Sequence, residues 1–559
     1  MAGPPNEPTR RLVLAAGAAG GVACLLTGCQ GGRPLSSAPA GPPADVPRWA
    51  PGPGEPAGAR RGGKVITAWS NEAQSYDPAI GWDLHSWEAI STVLYAPLYQ
   101  FADQFDGPAP HAAQGAPQVS KDGRVYTIPL RRDVRFHNGR PVVAEDYVFT
   151  WTRLMDPGLA SWASSYLFGI EGAEAVYKEK AEEIRGLSTP DPYTLRVTLT
   201  EPDVLFPALL CMPYTAALPR EEVRRLGAEF GRTPVGSGPM RITRYDSKGR
   251  RAVFEPFDQY FWRGTPLIER LEYRWAIGYP LQALQLSGGR VDVLGEGLVA
   301  SQAARFTADA SMRERFVQAV PVRGTQWLSL NHKRRELRDP RVRRALNWAV
   351  DREQLMRLTF GLSDPWGSPF PKRLDRFRRT AKPYTFDPER ARALLREAGV
   401  ERLSLEFLHG TQDPWPLLGQ VLQQQFEAVG VELNLNAMSQ AAFELAISDG
   451  KGDLYGSHLY ITLNSALELV SSNFTSDASY NYVGYTNARV DSLAVRARKA
   501  RSVEDANSLL AEIEDELVRD AAGVFVGSMN FLAARAPEVR NYQMRGETGT
   551  YYDRLWVKR

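Results

Sequence analysis

Hydrophobic and polar residues follow two different periods along the chain. Apolar side chains at every second position predict short strands at residues 64–69 and 124–130. Apolar side chains three and four residues apart predict an amphipathic helix at residues 145–155. Two further helices are predicted to begin after the capping residues Asp387 and Ser502. Because strands and helices alternate throughout, the pattern favours a mixed α/β body.

The first thirty residues have the features of an export signal. Arg10 and Arg11 precede a run rich in Ala, Gly and Leu, and small residues stand directly before Cys29. The ending Leu-Thr-Gly-Cys is similar to the bacterial lipobox, in which the cysteine carries the lipid, whereas Cys24 lacks a branched apolar residue three positions before it. We predict a lipoprotein signal peptide over residues 1–28 and lipidation of Cys29, with export by either the Sec or the twin-arginine route.

The segment after this cysteine is predicted to be a tether. Pro, Gly, Ala and Ser dominate residues 29–61, and almost no side chain there is apolar enough to pack. Two acyl chains hold a protein stably on a bilayer. The layout therefore predicts a body held at the outer face of the cell membrane.

Composition excludes several classes of protein. The 559 residues carry a net charge of +3 and 43% hydrophobic residues, which is ordinary for a globular protein. A nucleic-acid-binding protein would show a basic excess or stripe, and the sequence has neither. Three cysteines cannot build a disulfide scaffold, and beyond the N-terminus no apolar run approaches the roughly 18 residues of a membrane span.

No sequence motif for catalysis or metal binding is present. The six histidines are scattered without a pair four residues apart: 85, 111, 137, 332, 409 and 458. The nucleophile elbow and the phosphate-binding glycine loop are both absent. We therefore predict a binding protein without catalytic residues, metal or cofactor. An anchored hydrolase stays open as the alternative, because serine–histidine or paired-carboxylate sites assemble in space and not in sequence.

One long block resembles a known family. Residues 122–151 read DGRVYTIPLRRDVRFHNGRPVVAEDYVFTW, which resembles the signature block of family 5 solute-binding proteins, the peptide, dipeptide and nickel receptors of ABC importers. Further blocks resemble the family in the same order along the chain: residues 75–78, 236–240, 259–262, 288–292, 339–352 and 387–399. The likeness runs from about residue 62 to the C-terminus and is strongest to the oligopeptide-binding branch.

This resemblance implies a fold and a division of the chain. The fold is the α/β periplasmic-binding-protein-like fold of type II, with two discontinuous lobes joined by a hinge and with an extra domain. The implied segments are domain I at 62–96, 193–316 and 528–559, domain II at 97–192, and domain III at 317–527. Ligand would bind between domains I and III, which close by hinge motion.

The resemblance also implies where ligand binds. An extended peptide would pair with backbone groups of both lobes, as an added strand does. The candidate ligand-binding residues are Trp82, Trp327, Trp415, His458, Leu459, Tyr460 and Thr462. Peptide receptors of the family carry an Asp about where Thr462 stands, and that Asp holds the ligand's α-ammonium. Because a hydroxyl cannot balance an ammonium, the sequence alone predicts that N-acetylated or uncharged ligands bind at least as well as free peptides.

The predicted function is that of a lipid-anchored, extracytoplasmic solute-binding protein. The resemblance implies that it captures peptides or peptide-like ligands and delivers them to the permease subunits of an ABC importer with an associated ATPase. It is expected to act as a monomer and to bind no nucleic acid. A ligand sensor or chaperone with the same fold, and without transport, is a further alternative to the hydrolase.

Overall fold

The computed structural model describes residues 58–101, 107–372, 374, 381–410, 414–463, 465–545 and 549–558. The predicted signal peptide, Cys29 and nearly all of the predicted tether lie outside these ranges. Within them, no helix has both the length and the apolar character needed to cross a bilayer.

Strands occur along the whole described chain. They are β1 Lys64–Ala68, β2 Tyr99–Phe101, β3 Pro108–Pro110, β4 Gln118–Val119, β5 Val125–Pro129, β6 Leu187–Asp191, β7 Thr194–Thr198, β8 Met240–Asp246, β9 Arg251–Pro256, β10 Arg270–Arg274, β11 Val293–Leu294, β12 Val317–Leu330, β13 Ser363–Pro365, β14 Leu403–Gly410, β15 Val431–Met438, β16 Leu454–Tyr460, β17 Gly523–Arg535, β18 Val539–Arg540, β19 Met544–Arg545, β20 Gly549–Thr550 and β21 Trp556–Val557.

Helices alternate with these strands. They are α1 Leu84–Ala89, α2 Ala144–Leu154, α3 Ala173–Tyr177, α4 Phe206–Leu209, α5 Arg220–Leu226, α6 Tyr279–Ser287, α7 Ala300–Ala308, α8 Ala310–Phe316, α9 Pro340–Trp348, α10 Arg352–Arg357, α11 Pro388–Glu397, α12 Trp415–Glu427, α13 Gln440–Ser448, α14 Ala466–Asn473, α15 Ala488–Arg498 and α16 Val503–Asp520. Helix α1 continues into a π-helical turn, Ile90–Leu94.

The predicted elements and caps are confirmed. Strands β1 and β5 and helix α2 lie within one residue of their predicted bounds. The side chain of Asp387 accepts a hydrogen bond from the backbone N–H of Arg390, and that of Ser502 accepts one from Asp505. Both contacts satisfy orphan donors in the first helical turn.

Most strands belong to one mixed sheet. Its order is β15-β14-β16-β12-β17-β11-β1-β10-β9-β8, and β13 adds to β17. Strands β12 and β17 are long and antiparallel and lie at the centre, so every path between the two halves of the sheet runs through them. Their register shifts between the pairs Pro321–Asn530 and Thr325–Ser528. This irregularity marks the place where the sheet passes from one half to the other.

A second, four-stranded antiparallel sheet lies outside this large sheet. Its order is β4-β5-β7-β6, and helix α2 supplies Tyr147 and Trp151 to the core beneath it. Strands β6 and β7 form a hairpin that spans residues 192 and 193, where the sequence analysis divided domain II from domain I. The small sheet therefore includes residues beyond 192.

Each half of the large sheet has its own core. Trp69, Phe254 and Leu271 belong to the cluster around β1, β9 and β10. Phe407 and Leu433 belong to the cluster around β14 and β15. Two apolar cores on one continuous sheet give the two-lobed α/β architecture that the resemblance implies.

A close backbone contact explains why the block at residues 236–240 carries two glycines. The N–H of Gly238 donates to the carbonyl of Leu94 at 2.9 Å, in the π-helical turn. A Cβ atom on Gly236 would lie 1.9 Å from the same carbonyl oxygen, and one on Gly238 would lie 2.4 Å from that of Val93. Only glycine permits this approach at both positions.

Candidate ligand-binding site

Strand β16 has an open edge. It pairs along its whole length with β12, from Leu454 to Tyr460. On its other side it pairs with β14 only at Leu454 and Tyr455, because the two strands then diverge. From Gly456 to Tyr460, no described residue pairs with this second edge. An unpaired edge is a template for another extended chain.

The register shows which backbone groups face this edge. The N–H of Ile461 donates to the carbonyl of Arg323 in β12 at 2.7 Å. In an antiparallel pair the groups of alternate residues point to the same side. Leu459 therefore points its backbone groups toward β12, whereas His458 and Tyr460 point their N–H and C=O groups away from it, toward the open edge.

The side chains of His458 and Tyr460 share one face of the strand. Their ring centroids lie 6.2 Å apart, and Tyr460 is 39% exposed. Burial within the surrounding protein nevertheless lowers the pKa of His458 and raises the pKa of Tyr460 to about 12. Both side chains are therefore open to solvent and still close enough to surrounding protein for desolvation to shift their pKa values. Leu459 is half-buried and packs against the core from the opposite face.

A carboxylate lies where the strand ends. Thr462 donates from its backbone N–H to Glu468 at 2.8 Å and from its hydroxyl at 2.6 Å, and the N–H of Leu463 donates to the same carboxylate at 2.8 Å. Glu468 lies in the first turn of α14 and is half-buried. Thr462, which by itself offers only a neutral hydroxyl, is therefore in direct contact with the negative charge of Glu468.

Four aromatic side chains on the small-sheet side form a cluster, the aromatic wall, and two of them, Tyr166 and Tyr214, interact with the charge of Glu468. Trp87 and Trp162 lie 5.8 Å apart, and Tyr166 stacks on Tyr214 at 5.7 Å. Burial first, and then the charge of Glu468, raise the pKa of Tyr166. Tyr166 and Tyr214 thus lie near Glu468, although they precede it by 302 and 254 residues in the sequence.

The three candidate tryptophans occupy different environments. Trp327 is 3% exposed, and its indole N–H donates to Ser329 at 2.9 Å. Trp415 is 2% exposed and lies against Gly456, where a Cβ atom would lie 2.1 Å from its ring. These two side chains pack in the cores and offer little surface to a ligand. Trp82 is half-buried beside the cap of α1.

A polar network lies at the carboxyl ends of the parallel strands β1 and β11. Glu296 follows β11 and accepts a bond from the backbone N–H of Ser70, which follows β1, at 3.2 Å. It also accepts from His85 at 2.7 Å and from Gln282 at 3.2 Å. Asp83 lies 3.0 Å from the other nitrogen of His85. The carboxyl ends of parallel strands are where α/β sheets bind ligands.

Charge pairing fixes the protonation of this network. Burial alone would lower the pKa of His85, but the hydrogen bonds to Asp83 and Glu296 outweigh it and raise that pKa to about 9. The imidazolium in turn holds the pKa values of both carboxylates below their usual range, against the opposing effect of burial. The network is therefore a doubly paired histidine cation at neutral pH. No sequence motif indicates it, because its members are up to 226 residues apart.

The described ranges contain no cluster of three or more His, Cys, Asp or Glu side chains arranged to hold a metal ion. A surface depression of about 390 Å³ lies on the small sheet, and Arg132 and Asp191 line it. Both of these side chains are exposed, and the depression is not connected with the open edge of β16.

Comparison with known proteins shows which family the chain belongs to. Residues 107–481 match the family model of bacterial extracellular solute-binding proteins, family 5 Middle. The chain belongs to this family. The glutathione-binding protein GsiB of Salmonella typhimurium is 25% identical over 449 residues, which cover 78% of this chain and 83% of that protein.

Solved structures of family 5 type share the fold. The Escherichia coli murein tripeptide-binding protein MppA matches with a TM-score of 0.71 and 21% identity, over 89% of this chain and 98% of that one. The periplasmic binding protein DppA of Helicobacter pylori, solved with the peptide STSA, matches with a TM-score of 0.72 and 20% identity, over 89% and 99%. The predicted two-lobed fold is confirmed.

Family 5 membership also decides between the functional classes. Proteins of this family bind solutes outside the cytoplasm, and the matched relatives are binding proteins, not enzymes. The hydrolase alternative is therefore set aside, and the prediction of a solute-binding protein is confirmed.

Proposed function

We propose that this family 5 protein captures peptides or peptide-like molecules and delivers them to an ABC importer. The observation that carries the proposal is the open edge of β16, at which His458 and Tyr460 present backbone donors and acceptors. An extended peptide lying along this edge would form main-chain hydrogen bonds without regard to its sequence. The relatives named for tripeptide and glutathione binding support the same ligand class.

The aromatic wall is proposed to receive ligand side chains. Trp87, Trp162 and Tyr166 are partly exposed and offer ring faces rather than fixed hydrogen-bond partners. Aromatic faces accept many apolar and cationic groups. The site would therefore tolerate varied side chains while the strand edge holds the backbone.

The carboxylate of Glu468 is proposed to set the charge preference. It lies against Thr462, so an ammonium group approaching the end of β16 would meet a negative charge. A charge-assisted hydrogen bond contributes about 1.5–3 kcal/mol. We therefore infer a preference for a free amino terminus, which is the reverse of what Thr462 alone predicts.

The two lobes are proposed to close on the ligand. Lobe I would combine 62–96, 199–316 and 528–559, domain II would run from 97 through the end of β7 at Thr198, and lobe III would be 317–527. The register shift in β12 and β17 would act as the hinge, because these strands carry every connection between the sheet halves.

The cell context is likewise part of the proposal. Lipidation of Cys29 would tether the body to the outer face of the membrane, where it meets the permease subunits. The ATPase of the importer would supply the energy from the cytoplasmic side. A monomer is sufficient for this role, because one chain provides both lobes.

Analysis of ligand that co-purifies with the protein tests the proposal. Mass spectrometry after denaturation is expected to detect peptides of mixed sequence, and calorimetry with a defined peptide is expected to show binding without cleavage over days. A purified protein that releases no peptide and binds none from a diverse pool would refute the assignment. Peptide binding with unchanged import in a strain lacking the protein would instead favour the sensor alternative.

A further inference from the structure

A small cavity lies where the π-helical turn meets the hairpin β2–β3. It offers about 20 Å³ to the centre of a water molecule. Its lining includes Ser91, Gln100, His111, Tyr260 and Asp553. The open edge of β16 and the aromatic wall contribute nothing to this lining, so the cavity is separate from the proposed ligand site.

Three polar atoms in this lining lack a protein partner. They are Ser91 Oγ, Gln100 Nε2 and His111 Nδ1, none of which has a hydrogen bond of normal geometry within the described residues. The Pro97 carbonyl lies close enough to the His111 ring to oppose the lowering of its pKa. Their residues are 8%, 5% and 6% exposed. A buried polar atom left without a partner costs about 1–3 kcal/mol. Three such atoms around one cavity therefore indicate a bound polar molecule.

The three side chains are held in place. The π-helical turn carries Ser91, and β2 carries Gln100, whose strand pairs with β3. The other ring nitrogen of His111 lies 2.8 Å from the hydroxyl of Tyr260, so the imidazole cannot turn away from the cavity without breaking that bond. Burial, together with Arg554 and Arg131, lowers the pKa of His111 to about 3, which leaves the ring neutral.

We propose that this cavity is a binding site for one buried water molecule, held by Ser91, Gln100 and His111. The volume suits a single water, and a buried water needs two to four polar partners. The amide of Gln100 would donate to the water, and Ser91 Oγ and His111 Nδ1 would complete the set. His111 Nδ1 accepts from the water when Nε2–H donates to Tyr260, and it donates to the water in the other tautomer. Asp553 opposes an anion here, while the nearby Arg131 and Arg554 oppose a cation.

This water would connect two parts of the fold. Ser91 belongs to the segment that carries β1 and α1, whereas Gln100 and His111 belong to the hairpin that leads into the small sheet. A water bonded to both would cross-link them without any direct side-chain contact. The small sheet would thereby move with the β1 half of the large sheet when the lobes close.

A crystal structure that resolves ordered water tests the site directly. One peak is expected within hydrogen-bond distance, about 2.6–3.2 Å, of all three atoms. Soaking with bromide is expected to give no anomalous signal there. A site without density, or one occupied by bromide, would overturn the proposal.

A pair of variants tests the site in solution. Deuteron relaxation dispersion counts long-lived internal waters, and the double variant Ser91→Ala, Gln100→Met is expected to lose one. The control makes the same changes at exposed positions, Ser165→Ala with Gln114→Met, and should keep the count. Equal counts in the two variants would overturn the proposal. If the first variant does not fold, the wild-type crystal result decides.

Discussion

Glu468 places a carboxylate where the sequence offers only the hydroxyl of Thr462. We expect the protein to bind a peptide with a free amino terminus at least about tenfold more tightly than its N-acetylated form, a difference of about 1.4 kcal/mol. The reason is that acetylation removes the positive charge that this carboxylate attracts. Isothermal calorimetry on one such peptide pair measures the ratio.

The variant Glu468→Gln should bring that ratio close to one, because the amide keeps the size of the side chain and loses its charge. Glu432→Gln is the matched control, since Glu432 is exposed on β15, away from Thr462. Equal affinity of the wild-type protein for the two peptides would show that Glu468 does not anchor the ligand.

His85 is expected to make the stability of the protein decrease as the pH rises into the alkaline range. Its pKa rises from 6.5 to about 9 on folding, so its contribution is fully present below about pH 6.5 and is lost as the pH rises through about 9. We expect the melting temperature to fall between about pH 7 and pH 10, and His85→Gln to flatten this part of the profile. The control is His458→Gln, because the pKa of His458 is not raised. A wild-type melting temperature that is constant over this range would contradict the pairing.

At the scale of residues, the sequence predicts His458 and Tyr460 as ligand-binding residues, and the structure places both, exposed, on β16. Their contact with ligand stays a prediction. The sequence does not indicate Glu468, because the residue reaches Thr462 only through the turn into α14. The sequence also does not predict that Trp327 and Trp415 are buried, because an aromatic residue can lie in a core or in a cleft.

The open edge of β16 predicts which ligand amides matter. Backbone groups that face the edge belong to every second residue, His458 and Tyr460. N-methylation of a ligand amide that bonds to this edge should weaken binding by about 0.5–1.5 kcal/mol, or about 2- to 13-fold. Methylation of the next amide along should have little effect. A scan of singly methylated peptides by calorimetry is expected to show this alternation, and a flat scan would exclude strand addition.

At the scale of elements, the sequence predicts where helices are capped, but it does not predict which strands pair. Asp387 and Ser502 mark helix starts because caps act within a few residues. The open edge of β16 depends instead on where β14 diverges from it, which is a property of strands that pair at a distance. Local sequence patterns do not reveal that register.

At the scale of the whole molecule, ligand should change the shape of the protein. The sheet halves are joined through β12 and β17 at a register shift, so closure would bring them together about this point. We expect the small-angle scattering radius to decrease on adding peptide, with a parallel change in tryptophan fluorescence. A peptide that calorimetry shows not to bind is the control. An unaltered scattering curve at saturation would contradict hinge closure.

Anchoring is tested in cells. Cys29→Ala should release the body into the medium, because the lipidated residue is lost, while Cys24→Ala should leave it on the membrane. Fractionation and immunoblotting measure the distribution. If both variants stay membrane-bound, Cys29 is not the anchor.

The overall architecture was the part that sequence predicted best. Several ordered blocks, from residues 75–78 to 387–399, point to one family, and a family determines a topology. The boundary between the small sheet and lobe I is harder to predict from sequence, because the β6–β7 hairpin spans the turn at residues 192 and 193. Turn residues mark a bend in the chain and not a domain boundary.

The central position of β17 also governs the order in which the chain can assemble. Among the residues that the structure describes, strand β11 pairs with β1 on one side and β17 on the other, and β17 comes near the end of the chain, at Gly523–Arg535. During synthesis the β1 half of the sheet therefore waits for more than 450 residues before its last neighbour exists. Contacts of such sequence separation form slowly. A nascent chain consequently stays incompletely folded until β17 has been synthesised, and a chain truncated before residue 523 would keep unpaired edges on both β11 and β12.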